Sequence, residues 1–122
     1  MIKSTELRQG NKMIFRFKTD SIPEEKVIDI TLRDLNHIDR HPEFYKPIPL
    51  TEEWLVKFGF EKSIYHCDIY ELNKNGFEIS FDFKDRVING CYLECIELDI
   101  KYVHQLQNLY FALIGKELTI KN

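Results

Sequence analysis

Long apolar runs are missing from this chain. None approaches the ~18 residues that a membrane-spanning helix needs, and the opening Met1-Ile-Lys-Ser has no apolar stretch of the signal-peptide kind. Glycine and proline are scarce, five and four in 122 residues, and they gather nowhere into a linker that would split the chain. There is no repeat and no low-complexity tract, so length predicts a single domain over residues 1–122. Cysteine is present three times, an odd number that argues against a disulfide framework. Free thiols fit a reducing compartment, which predicts the cytoplasm. A glycine-rich phosphate loop, a G-x-S-x-G elbow and a defensible Ser/His/Asp set are all lacking. These absences argue against an enzyme and imply no cofactor.

What is present argues for a folded core. The chain is 43% hydrophobic, with nine Phe, six Tyr and one Trp, a composition that excludes disorder. A net charge of −3 gives no general pull toward nucleic acid or membrane. The charge is unevenly spread. Residues 1–18 hold Lys3, Arg8, Lys12, Arg16 and Lys18 against Glu6, and Asp20, Glu24 and Glu25 then reverse the sign. A solvated strand with its turn is the plainer reading. The alternative is a nucleic-acid contact through Arg8, Arg16 and Lys18.

Met13, Phe15 and Phe17 alternate with Ile14, Arg16 and Lys18, which predicts a strand entered through Gly10-Asn11. Ser21-Ile22-Pro23 predicts a turn, and Val27–Leu32 a second strand. Residues 33–46 read as polar and irregular. A short helix follows, with Thr51 as N-cap, Glu52 and Glu53 in its first turn, Gly59 at C′ and Phe60 closing back on Leu55. Trp54 and Phe58 form its buried face. Residues 64–72 predict a strand and Asn73–Gly76 a turn. Phe77, Ile79, Phe81 and Phe83 alternate strictly with polar residues. Asn89-Gly90 predicts a hairpin, with Cys91–Leu98 as the returning strand. The grouping of strands with helices at the side predicts an α+β fold: an antiparallel meander, a C-terminal helix, a short central helix and an N-terminal two-strand unit.

The stretch Tyr102-Val-His-Gln-Leu-Gln-Asn-Leu-Tyr-Phe-Ala-Leu-Ile114 holds no Asp, Glu, Lys or Arg in a chain that is 30% charged. At helical period Val103, Leu106, Tyr110 and Leu113 make one apolar stripe, and Gly115 ends the helix. The stripe is expected to cover the Phe77–Phe83 sheet face. The other face carries His104, Gln105, Gln107, Asn108 and Phe111, where a solvated helix would show Lys and Glu. It either packs on the N-terminal strands or meets a partner, which could be a second copy in a homodimer.

Several constellations have both a chemical and a plain structural reading. His37 and His41 have the i, i+4 spacing of metal ligands on a helix, but Pro42 and weak periodicity predict a loop. Cys91 and Cys95 share one face of a predicted strand and read as core thiols, as does Cys67 beside His66. Asp68 with Asp82-Phe-Lys84, or Glu97-x-Asp99-x-Lys101, resembles the carboxylate-lysine set of metal-dependent nucleases. Such strings are common on exposed strands, and nuclease chemistry ranks last.

Three blocks resemble a family of small accessory proteins carried by bacteriophages and prophages: Glu6-Leu-Arg-Gln-Gly-Asn11, Lys46-Pro-Ile-Pro-Leu-Thr-Glu-Glu-Trp-Leu-Val-Lys-Phe-Gly-Phe60 and Lys101-Tyr-Val-His-Gln-Leu-Gln-Asn-Leu-Tyr-Phe-Ala-Leu-Ile-Gly-Lys-Glu-Leu118. The resemblance spans nearly the whole chain and implies no catalytic residue. Some members begin with a strand-turn-strand unit similar to a small SH3-like barrel. The setting implied is that of an inhibitor of host defence, and the chain is similar to type VI-B anti-CRISPR proteins that inhibit the Cas13b RNA-guided RNase. The expectation is therefore a non-enzymatic binding protein, its partner a Cas nuclease or guide RNA complex. Gln105, Asn108 and Phe111 are the expected contacts, with Arg8, Arg16 and Lys18 as a basic second contact for protein or RNA.

Overall fold

The computed structural model describes residues 2–66 and 68–121. In chain order the elements are β1 (Lys12–Thr19), β2 (Ile22–Asp29), α1 (Leu32–Arg40), β3 (Tyr45–Lys46), α2 (Glu52–Lys57), β4 (Glu61–Lys62), β5 (Ile69–Lys74), β6 (Phe77–Lys84), β7 (Val87–Leu93), β8 (Ile96–Leu98) and α3 (Val103–Ile114). The fold is α+β, with antiparallel sheets of three and five strands. The chain forms two compact units, one running to Pro49 and including Tyr102–Asn108, the other holding Leu50–Lys101 and the chain from Leu109.

In the first unit the strand order is β2-β1-β3. The hairpin turns at Asp20-Ser21, both at positive φ (51° and 67°), the handedness that matches strand twist. The turn expected at Ser21-Ile22-Pro23 is thus displaced: Ile22 and Pro23 already belong to β2, with Pro23 opposite Lys18. An edge strand is where a residue without an N–H is tolerated.

Two further expectations fail nearby. Thr31-Leu32 does not extend β2, and residues 33–46 are not irregular. The Thr31 hydroxyl accepts the Asp34 N–H at 3.3 Å while the Asp34 carboxylate accepts the Thr31 N–H at 3.0 Å, a capping box that starts α1. His37 is therefore helical, and His41 caps the helix end. Met13, Ile30, Ile38 and Tyr45 form the buried cluster, with Phe15, Leu7, Ile28 and Leu35 packed against it. The Tyr45 hydroxyl donates to Asp34 at 3.0 Å and lies 2.9 Å from His37 Nδ1. Burial and the adjacent Asp34 carboxylate raise the Tyr45 phenol.

The second unit opens with α2. The Trp54 N–H donates to the Thr51 hydroxyl, and the helix closes with Phe60 N–H on Leu55 C=O (2.9 Å) and Gly59 N–H on Val56 C=O (3.0 Å). That pair of bonds is the Schellman end, with Gly59 at φ 95°. Phe58 is buried as expected, but Trp54 is only half-buried, with Lys57 Nζ 4.9 Å from its ring centroid. The five-stranded sheet runs β4-β5-β6-β7-β8. Ile79, Phe81 and Phe83 are buried on β6, and Phe77 is half-buried.

The strand expected over residues 64–72 begins only at Ile69, and Ile64 and Tyr65 are exposed. Asn89-Gly90 is not a hairpin turn. The chain turns instead at Asp85-Arg86 (φ 52° and 67°), and Asn89 falls where the β6/β7 register slips between Asp82↔Gly90 and Phe83↔Ile88. Asn89 Nδ2 donates to Asp82 there. A Cβ on Gly90 would meet Tyr92 Oη at 2.8 Å, so the glycine serves close packing. A second turn at Glu94 (φ 56°) breaks the single strand expected over Cys91–Leu98. Cys91 is buried, its thiol pushed up to about 12 by burial, but Cys95 is exposed rather than a core thiol. The expectation for Cys67 falls outside the described residues.

Candidate binding cleft at the start of the last helix

The first turn of α3 sets the geometry of the first unit. Amides at a helix start have no intrahelical acceptor. Val103 N–H finds Ile48 C=O at 2.9 Å, and Gln105 and Leu106 N–H share Tyr102 C=O. The Gln105 side chain reaches back and accepts the Tyr102 N–H at 3.1 Å, half of a capping box. The His104 N–H has no backbone acceptor among the described residues.

One turn later the uncharged face is occupied by the chain itself. Gln107 is 2% exposed; its Oε1 accepts the Lys12 N–H at 2.8 Å and its Nε2 donates to Gly10 C=O at 3.3 Å. Asn108 accepts from Asn11 Nδ2 at 2.9 Å and donates to Glu6 C=O at 3.3 Å. Asn11, fully buried, also accepts the Arg8 N–H at 2.6 Å. Gly10-Asn11 and Gln107-Asn108 therefore recognise each other through amide groups. Neutrality suits this work, because an amide both donates and accepts where a charged group would have to be desolvated.

This places the expected partner contacts. Gln105 and Asn108 serve the first unit's own backbone, and the Arg8 guanidinium reaches Gln107 C=O at 3.4 Å. Phe111 is 39% exposed. On the basic strand, Arg16 pairs with Glu25 at 3.3 Å and Lys12 with Asp29 at 2.7 Å. Lys18 stands opposite Pro23 and is exposed. The acidic run of β2 thus lies against the basic run of β1. In the first nuclease-like set Asp82 stands opposite Ile69, so Asp68, one residue earlier, is out of phase with it. In the second such string Asp99 lies 3.7 Å from Lys101 on the surface. The His37 and His41 rings lie 5.0 Å apart, and among the described residues no three His, Cys, Asp or Glu side chains converge as a metal site.

The feature that sequence reading passed over is a cleft of about 670 Å³ within the first unit. Glu6, Arg16, Glu43, Lys46, Tyr102 and His104 line it, with Ile2, Pro42 and Pro47 as apolar wall. His104 is 3% exposed, its ring stacked on Tyr102 at 5.9 Å, and its Nδ1 is buried with no hydrogen-bond partner. A buried orphan lone pair costs less than a buried orphan N–H, which assigns the ring proton to Nε2. The signal that could have found His104 was its place two residues into an uncharged helix.

Burial lowers the His104 imidazole below its usual 6.5, against an opposing pull from Glu6. The unfolded chain therefore takes up this proton first. The stability tied to the neutral ring is whole above pH 6.5 and is lost as pH falls from there through the folded value. Urea midpoints measured between neutral pH and about pH 5 should fall in the parent and flatten in His104→Asn. An unchanged slope in the variant would place the titrating group elsewhere.

Comparison with protein-family models, with curated proteins and with solved structures returned no match.

Proposed function

We propose that this is a non-enzymatic binding protein whose contact site is the Tyr102–Gln105 cleft of the first unit. The observation that carries the reading is His104: a nearly fully buried imidazole with an unpartnered nitrogen, in the wall of a concave site flanked by charged and aromatic side chains. Buried polar groups are ordinarily satisfied, and an exception in a cleft marks a place built for something other than packing. Cys91, with its high thiol pKa, offers no nucleophile.

The phage setting rests on the resemblance of the three sequence blocks. It names a host partner of one class, an RNA-guided nuclease of the Cas13b kind, inhibited by binding the nuclease or its guide RNA complex. Because Gly10 and Asn11 engage Gln107 and Asn108 on the neutral helix face, the proposed contact moves from Asn108 and Phe111 to the adjoining cleft, which Gln105 also lines. The test is capture of purified Cas13b, with and without guide RNA, by the immobilised protein and by Lys46→Met. Capture should be retained in the parent and weakened in the variant, and expression should rescue a targeted phage. No capture and no rescue would remove the nuclease partner. Capture that falls steeply with salt would favour direct RNA contact through β1 instead.

A further inference from the structure

Lys46 and Glu6 are the two charges of the cleft without a side-chain partner among the described residues. Arg16 is engaged by Glu25, and Glu43 lies 3.4 Å from His41 Nδ1. A cation and a carboxylate are therefore held uncommitted in one concavity, each only as stable as its access to water. Beside them lie the His104 N–H, which no backbone carbonyl among the described residues accepts, at the positive end of a twelve-residue helix, and the imidazole of the same residue with its unpartnered Nδ1. Ile2, Pro42 and Pro47 supply the apolar wall.

Resting on the cleft being a binding site, we infer that it takes a small zwitterion, a free amino acid or dipeptide with an apolar or aromatic side chain. The ligand carboxylate is received by Lys46 and the His104 N–H. Its ammonium is received by Glu6, with Glu43 alongside, and its side chain lies on the apolar wall. A simple anion such as phosphate fits less well, because two carboxylates line the same space. A simple cation meets the same objection from Lys46 and Arg16. Only a ligand carrying both charges satisfies both.

The test is calorimetric titration of the whole chain with phenylalanine, phenylalanyl-alanine, N-acetyl-phenylalanine and phenylalaninamide. The first two should bind. Blocking either end should weaken binding about tenfold, the loss of one charge-assisted hydrogen bond. In Lys46→Met the preference for the free acid over the amide should shrink while the preference for the free amine is kept; in Glu6→Gln the preference for the free amine over its acetylated form should shrink while that for the free acid is kept. Both positions are polar and outside the buried cluster, and an unchanged thermal midpoint shows that the variants fold. No heat at millimolar ligand, or equal affinity for blocked and unblocked forms in the parent, overturns the inference. If these ligands fail while Lys46→Met abolishes nuclease capture, the cleft stands and the zwitterion falls. If they bind and capture fails, only the nuclease partner falls.

Discussion

Gln107→Leu should destabilise the first unit by about 3 kcal/mol, despite adding no bulk and lying on what reads as a neutral helix face. Leucine leaves the Lys12 N–H and the Gly10 carbonyl, now bonded at 2.8 and 3.3 Å, with no partner. Each orphaned group costs on the order of 1–3 kcal/mol, which outweighs the gain from putting an apolar side chain in a buried position. Urea denaturation gives the size of the loss, and amide hydrogen exchange gives its place: the Lys12 N–H should lose its protection. Gln107→Glu separates the two ends of the amide. It keeps an acceptor for Lys12 but sets a carboxylate against the Gly10 carbonyl, so it should be worst at neutral pH and recover on acidification, when the acid can donate. Unchanged exchange at Lys12 in both variants would mean that the amide clasp contributes nothing.

Phe81→Ala should cost about 3–5 kcal/mol, the usual range for deleting a fully buried ring. Phe81 is wholly buried in the middle of the five-stranded sheet, paired with Tyr70 on one side and Cys91 on the other. Its ring meets Phe60 edge-on at 5.7 Å. Phe60 is itself fixed by the Schellman bond to Leu55, so the cavity has a rigid wall and cannot readily collapse. Chemical denaturation followed by Trp54 fluorescence checks the value. Phe81→Leu, which refills much of the space, should recover more than half of it. A loss below about 1 kcal/mol for the alanine would show that the sheet repacks around the gap.

Strong local signals in the sequence were reliable where one force dominated. The Phe77–Phe83 alternation gave β6 to the residue, because burial on one sheet face imposes a period of two. Thr51, Gly59 and Phe60 gave α2 with both its ends, because each end is decided by a few adjacent residues. Signals that depend on partners were not readable. Asn89-Gly90 has the composition of a tight turn, yet Asp85-Arg86 takes positive φ and the Asn89 amide is spent on Asp82 across a register slip. α1 was missed because its box uses Asp34 rather than a longer acid, and because Leu35 and Ile38 make only a thin apolar stripe. The cleft was invisible for a different reason. Glu6, Lys46 and His104 lie far apart in sequence, and nothing in their composition says they line one space. The uncharged helix stands out by composition, but its explanation lies in Gly10 and Asn11, residues that by sequence are only punctuation.

The amide clasp also orders events in time. Lys12 and Gln107 are 95 positions apart, and the whole of Leu50–Lys101 lies between the two pieces of the first unit. A ribosome delivers the β1–β2 hairpin before Leu50–Lys101, and the residues that clasp it only afterwards. The hairpin must therefore wait with its Gly10–Lys12 turn unclasped while the five-stranded sheet emerges and folds. The interrupted unit starts before the five-stranded sheet and closes after it, so its long-range clasp lengthens the time the hairpin spends unpaired.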